Sequence, residues 1–113
     1  MSSDLPIHIE RRDGATILRA AGDVDLLRSP SLRNVLGQEI ATGVPRLVLD
    51  LSQVEYMDSS GVATLVEALQ RCRAQKTTLV LCALQDRVRS VFEIAKLDSI
   101  FTIHPDIDTA LGD

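Results

Sequence analysis

The stretch that decides the fold is Arg46 to Cys72, RLVLDLSQVEYMDSSGVATLVEALQRC. Arg46 to Leu51 alternates and then saturates with Leu and Val, the pattern of a strand covered on both faces. After Gly61 the apolar residues fall at Val62, Leu65, Val66, Leu69 and Cys72, the spacing of one face of a helix. Asp58-Ser59-Ser60-Gly61 forms the join. Two hydroxyls and a carboxylate therefore sit where a helix leaves its first N–H groups unpaired and presents the positive end of its dipole. Such a join suits chemistry, and it suits an ordinary helix cap equally well.

Upstream, Ile7 to Arg12 and Ala15 to Ala21 read as strands separated by Asp13-Gly14, a hairpin signal because such turns need positive φ. Ile7 and Ile9 alternate with His8 and Glu10, as on an edge strand with one wet face. Gly22-Asp23-Val24-Asp25 breaks the second strand. Ser29-Pro30 then marks a helix start, serine as cap and proline at the first helical position, with Leu32, Val35, Leu36 and Ile40 on one face. That helix ends near Gly43-Val44-Pro45. Downstream, Lys76 to Ala83 is a strand, Gln85 to Leu97 a helix, Ile100 to His104 a short strand, and Pro105 opens a terminal helix. The order is β-β-α-β-α-β-α-β-α. It predicts an α/β fold with a mostly parallel sheet of four or five strands, one antiparallel edge strand and about four helices. The loops Gly22 to Arg28, Ser52 to Ser59 and around Leu84-Gln85 then share one edge of the sheet, where open parallel sheets place their sites.

The totals bound the rest. At 113 residues, with no repeat or linker, residues 1–113 are expected to form a single domain. Only Tyr56, Phe92 and Phe101 are aromatic, so the core is aliphatic and no stacking platform for single-stranded nucleic acid is present. A net charge of −4 argues against binding a phosphate backbone. The cysteines, Cys72 and Cys82, fall on apolar positions of a helix and a strand and read as buried hydrophobes in a reducing compartment. The start, MSSDLPIHIERRDG, has no signal-peptide pattern, and no apolar run approaches the roughly 20 residues that span a bilayer. A cytoplasmic location without membrane insertion follows as an expectation.

Catalytic readings find little support. A serine nucleophile needs a nearby base, and the two histidines, His8 and His104, fall on edge strands. The Gly-x-Ser-x-Gly elbow is absent, as are both Gly-rich phosphate-loop patterns. Asp23, Asp25 and Asp58 could converge on a hard cation, but carboxylates at a loop edge are more often solvated or capping. We therefore expect no metal, no cofactor and no enzyme activity, with weak anion or nucleotide binding at the helix start left open. A cap needs only Asp58 or Ser59. Ser60, beside Gly61, has no such duty and suits a kinase acceptor, where a phosphate adds about −1.5 to −2 charges.

The run Val48-Leu49-Asp50-Leu51-Ser52 with Met57-Asp58-Ser59-Ser60-Gly61-Val62 resembles the central motif of STAS domains, especially bacterial anti-sigma factor antagonists. Gly22-Asp23-Val24-Asp25 is similar to that family's Gly-acidic-x-Asp turn, with Asp23 where Glu is common. Val88-Arg89-Ser90-Val91-Phe92, Leu97 and Phe101 resemble its third helix and last strand. The resemblance implies partner switching. The unmodified protein binds an anti-sigma factor that is also a GHKL-type serine kinase, phosphorylation releases it, and a phosphatase resets it. By position, Ser60 is the acceptor, Asp25 the turn aspartate near it, and Ser59 structural. Asp23, Asp25, Asp58, Ser59, Ser60 and Gly61 form the expected partner surface on a monomer or weak homodimer. The resemblance also admits another role, an unphosphorylated scaffold subunit of a lipid-transport ABC complex or a stress-sensing assembly.

Overall fold

The computed structural model describes residues 4–112. Of the polar start, residues 1–3 lie outside the described residues, as does residue 113. The elements are β1 (Ile7–Arg12), β2 (Ala15–Ala21), α1 (Ser29–Ala41), β3 (Arg46–Gln53), α2 (Ser59–Gln75), β4 (Thr78–Cys82), α3 (Asp86–Ile94), β5 (Thr102–His104) and α4 (Ile107–Gly112), in the expected order. The strands line up β1-β2-β3-β4-β5 in one sheet. β1 runs antiparallel to β2 and every other pair is parallel. Between β1 and β2, Gly14 takes φ 76° and closes the hairpin.

Because the parallel strands follow each other in space as in sequence, right-handed crossovers put α1, α2 and α3 on one face. Alternation along each strand then divides the core. Leu47, Leu49 and Leu51 point with Leu18, Leu79 and Leu81 to the cluster that also takes Leu36, Leu65 and Phe92 from the three helices. Val48 points the other way, with Ile17, Val80 and Cys82, and α4 covers them with Ala110. Phe92 and Phe101 meet edge to face, ring centroids 5.3 Å apart. Cys72 and Cys82 are buried free thiols. Burial pushes them up to about 11 and about 12, so both stay protonated at neutral pH. No helix among the described residues is long and apolar enough to cross a membrane.

Several ends differ from the sequence expectation. Lys76 and Lys96 adopt left-handed backbone, φ 60° and 58°, and terminate α2 and α3 without a glycine. Thr77 N–H and Leu97 N–H reach back to the carbonyls of Cys72 and Phe92, each at 2.8 Å, and consume residues expected in β4 and α3. Ile100 and Phe101 N–H groups turn onto Leu97 O, so β5 begins only at Thr102. Asp106 caps α4 by accepting from Thr109 N–H at 2.8 Å, so Pro105 stays outside the helix. Ser29 is not the cap of α1. It lies within the helix, buried, with its N–H donated to Asp25 O at 2.8 Å.

Candidate functional site

The loops after β2 and β3 are sewn together by a two-residue extension of the sheet. Val24 N–H donates to Tyr56 O at 2.9 Å and Asp58 N–H to Val24 O at 3.2 Å, making a parallel bridge between Val24 and Met57. Both side chains are buried. Gln85 brings in the third loop, its Nε2 donating to Ser52 O at 2.8 Å. The three loops expected to share one sheet edge do so.

Asp58 is the cap of α2. Its extended backbone sends the carboxylate back over the first turn, where Oδ1 accepts from Ser60 N–H at 2.9 Å and Gly61 N–H at 3.3 Å. Ser60 Oγ donates to the same oxygen at 2.5 Å, and Oδ2 accepts from Leu26 N–H at 3.2 Å across the loop. These donors, the Ser60 hydroxyl first, hold the Asp58 carboxyl below its ordinary value against a partial desolvation penalty. Capping is thus the duty of Asp58, while Ser59 stands exposed at the first helical position instead of shaping the helix start. Ser60 is half-buried, and its hydroxyl satisfies no backbone donor.

Asp25 closes the neighbouring turn. Its Oδ1 accepts from Arg28 N–H at 2.9 Å and its Oδ2 from the Arg28 guanidinium at 2.7 Å. It therefore fixes Arg28, which takes the cap position of α1 expected of Ser29, and carries a bound counter-charge. Asp23 is exposed. Gly61 is buried, so it shapes the surface from beneath. A Cβ on it would lie 2.7 Å from Met57 Cγ and 2.9 Å from Val24 O, so only a residue without a side chain lets α2 start against the bridge.

Asp23, Asp25 and Asp58 do not converge on a cation: among the described residues no group of three or more His, Cys, Asp or Glu is placed to hold a metal. His8 and His104 lie on β1 and β5, at opposite edges of the sheet. Neither belongs to the loops around Ser60, which have no nitrogen base for a serine nucleophile.

The sequence reading missed the apolar flanks. Leu26 and Leu27, next to Asp25, are 76% and 64% exposed, and Ile94 is 83% exposed. Ile94 lines a depression of about 300 Å³ with Ser59, Val62, Val91 and Ala95. The helix start thus has two bare leucines tied to it through Asp58 and an apolar hollow against its first turn. Two leucines inside an otherwise polar turn, and an Ile out of the helical register of α3, were the available signals.

A carboxylate cap predicts a pH signature. Asp58→Ala should cost about 1 kcal/mol at neutral pH. The folded pKa is lowered, so the contribution is complete above the unfolded value near 3.8 and is lost as pH falls through the folded value. Urea unfolding of both proteins should show the stability gap closing in strong acid. A gap independent of pH would refute the carboxylate as its source.

Residues 6–110 match the family model of the STAS domain. The anti-sigma-B factor antagonist of Listeria monocytogenes is 34% identical over 102 residues, covering 88% of this chain and 89% of the relative. The crystal structure of an anti-sigma factor antagonist from Mycobacterium paratuberculosis superposes with a TM-score of 0.88 at 26% identity, over 99% of this chain and 95% of the other. The Bacillus cell fate determinant SpoIIAA in its phosphorylated form shares the fold, with a TM-score of 0.74 at 18% identity over 95% and 97% of the two chains.

Proposed function

Because this chain belongs to the STAS domain family, we propose that it is an anti-sigma factor antagonist: a non-enzymatic binding module that is switched by phosphorylation of Ser60. One observation carries the reading. Asp58 meets the capping requirement of α2 alone, which leaves the Ser60 hydroxyl at the helix start with no backbone group to satisfy. The relatives named as antagonists and the exposed apolar flanks support a surface made for another protein.

In the unmodified state the surface around Asp23, Asp25, Asp58, Ser59 and Ser60 holds an anti-sigma factor of the GHKL serine-kinase type, freeing the sigma factor. That kinase transfers the γ-phosphoryl of ATP to Ser60 Oγ: the O–P bond forms as the bond to ADP breaks, and the hydroxyl proton is released to solvent. The helix dipole offsets the new dianion by only about 0.3–1 kcal/mol. Asp58, bonded to the same oxygen, repels it. A partner seated there meets a strongly hydrated dianion and leaves, and a phosphatase restores the hydroxyl.

Incubation with the cognate kinase and ATP, followed by peptide mass spectrometry, is expected to place a single phosphate on Ser60. Label on Ser59 or elsewhere, or none, would defeat the assignment.

A further inference from the structure

Beside the Val24–Met57 bridge that joins the two loops through their backbones, the Asp58 side chain makes a second tie between the start of α2 and the turn after Val24. Its Oδ1 takes the Ser60 hydroxyl and the first N–H groups of α2, and its Oδ2 takes the N–H of Leu26. Leu26 and Leu27 are the bare leucines that flank the helix start. We infer that Asp58 is a latch that fixes the Leu26-Leu27 turn against α2 while Ser60 carries a free hydroxyl, and that phosphorylation of Ser60 opens it. The inference rests on the reading of Ser60 as the phosphate acceptor and concerns the regulation of that same surface.

Phosphorylation deletes the hydroxyl donor and sets a dianion one bond from an oxygen that lay 2.5 Å from Asp58 Oδ1. Phosphate oxygens also compete for the N–H groups of Ser60 and Gly61, since a helix N-terminus is a favourable seat for an anion. The carboxylate then loses attraction and gains repulsion on its Oδ1 side. Turning it outward removes the acceptor from Leu26 N–H. The turn does not unfold, because Asp25 still holds the N–H groups of Arg28 and Ser29, and the Val24–Met57 bridge does not involve Asp58 side-chain atoms. What is lost is the fixed placement of two apolar side chains. Release of a partner would thus draw on lost order as well as on charge.

The test is amide hydrogen exchange of the full chain by NMR, with phosphoserine installed at position 60 during translation. Exchange at Leu26 should quicken about tenfold, the effect of losing a hydrogen bond to a charged acceptor. The amides of Val24 and Asp58, which bond to backbone, should stay within about twofold of the unmodified protein. Ser60→Ala removes the hydroxyl without adding charge and should leave Leu26 protected. Asp58→Asn has a single acceptor oxygen, enough to cap α2 but not to hold Leu26 as well. It should speed Leu26 exchange while Ser60 and Gly61 stay protected. Unchanged Leu26 exchange in the phosphoserine protein or in Asp58→Asn overturns the latch. So does acceleration of Val24 and Asp58 along with Leu26, which marks opening of the whole loop. A kinase that never labels Ser60 would end the acceptor reading yet leave these rates as they are, so the two failures are distinguishable.

Discussion

Gly61→Ala is expected to destabilise the protein by about 1–3 kcal/mol, the range for an overfilled core. Helix propensity argues the other way, since alanine replaces glycine inside a helix with a gain of about 1 kcal/mol. Sterics decide the sign. The new methyl would sit 2.7 Å from Met57 Cγ, 2.8 Å from Val24 Cγ1 and 2.9 Å from Val24 O, and the last is backbone held in the bridge. No rotamer change clears a carbonyl oxygen, so the start of α2 or the whole Val24 turn must shift. Gly37→Ala supplies the control. Gly37 is also helical, but its Cβ would meet the Arg71 guanidinium at 2.9 Å, the far end of a flexible exposed side chain. That substitution should be neutral or stabilising by up to about 1 kcal/mol. Urea unfolding of the two variants reads the contrast, and equal midpoints would remove the steric role assigned to Gly61.

The same contrast shows what the sequence can and cannot carry. The run from Arg46 to Cys72 made strand, join and helix legible because apolar spacing is local information, and the parallel sheet followed from the alternation of elements. The close approach at Gly61 was legible as a glycine after two serines, but of the atoms it admits only Met57 Cγ is near in sequence, and the Val24 side chain and carbonyl are far away in it. Helix ends were less legible. Lys76 and Lys96 stop α2 and α3 in a conformation that residue type does not announce, and the cap position of α1 fell to Arg28, its N–H held by Asp25, one residue before the Ser-Pro pair with the usual signature. Within the site, sequence placed the acidic turn and the serine pair on one sheet edge. It did not tell which group caps, because Asp58 and Ser59 are both good caps and only the extended backbone at Asp58 chooses between them. Nor did it reveal that Leu26, Leu27 and Ile94 stay bare, since apolar residues are usually covered and exposure is a property of the assembled chain.

Those bare side chains make the Ser60 variants sharper tests than charge alone would. Ser60→Ala is expected to bind the cognate anti-sigma factor within a few-fold of the unmodified protein and to resist release on addition of ATP. The hydroxyl it deletes caps nothing, and Asp58 keeps the N–H groups of Ser60 and Gly61. The phosphoserine protein is expected to bind about a hundred-fold more weakly or worse. A desolvated like charge beside Asp58 costs several kcal/mol, and each 1.4 kcal/mol is a factor of ten. Ser60→Asp should fall between the two, because it brings one charge where phosphate brings about −1.5 to −2 and has a shorter reach. Calorimetric titration with the purified anti-sigma factor gives all three affinities, and unfolding curves confirm that each variant is folded. The order matters more than any one value. If alanine, aspartate and phosphoserine at position 60 bind alike, the hydroxyl is not the switch, and the surface beside it would be a constitutive docking face. If alanine binds as weakly as phosphoserine, the Ser60–Asp58 hydrogen bond itself holds the binding-competent geometry, and charge repulsion is not what releases the partner.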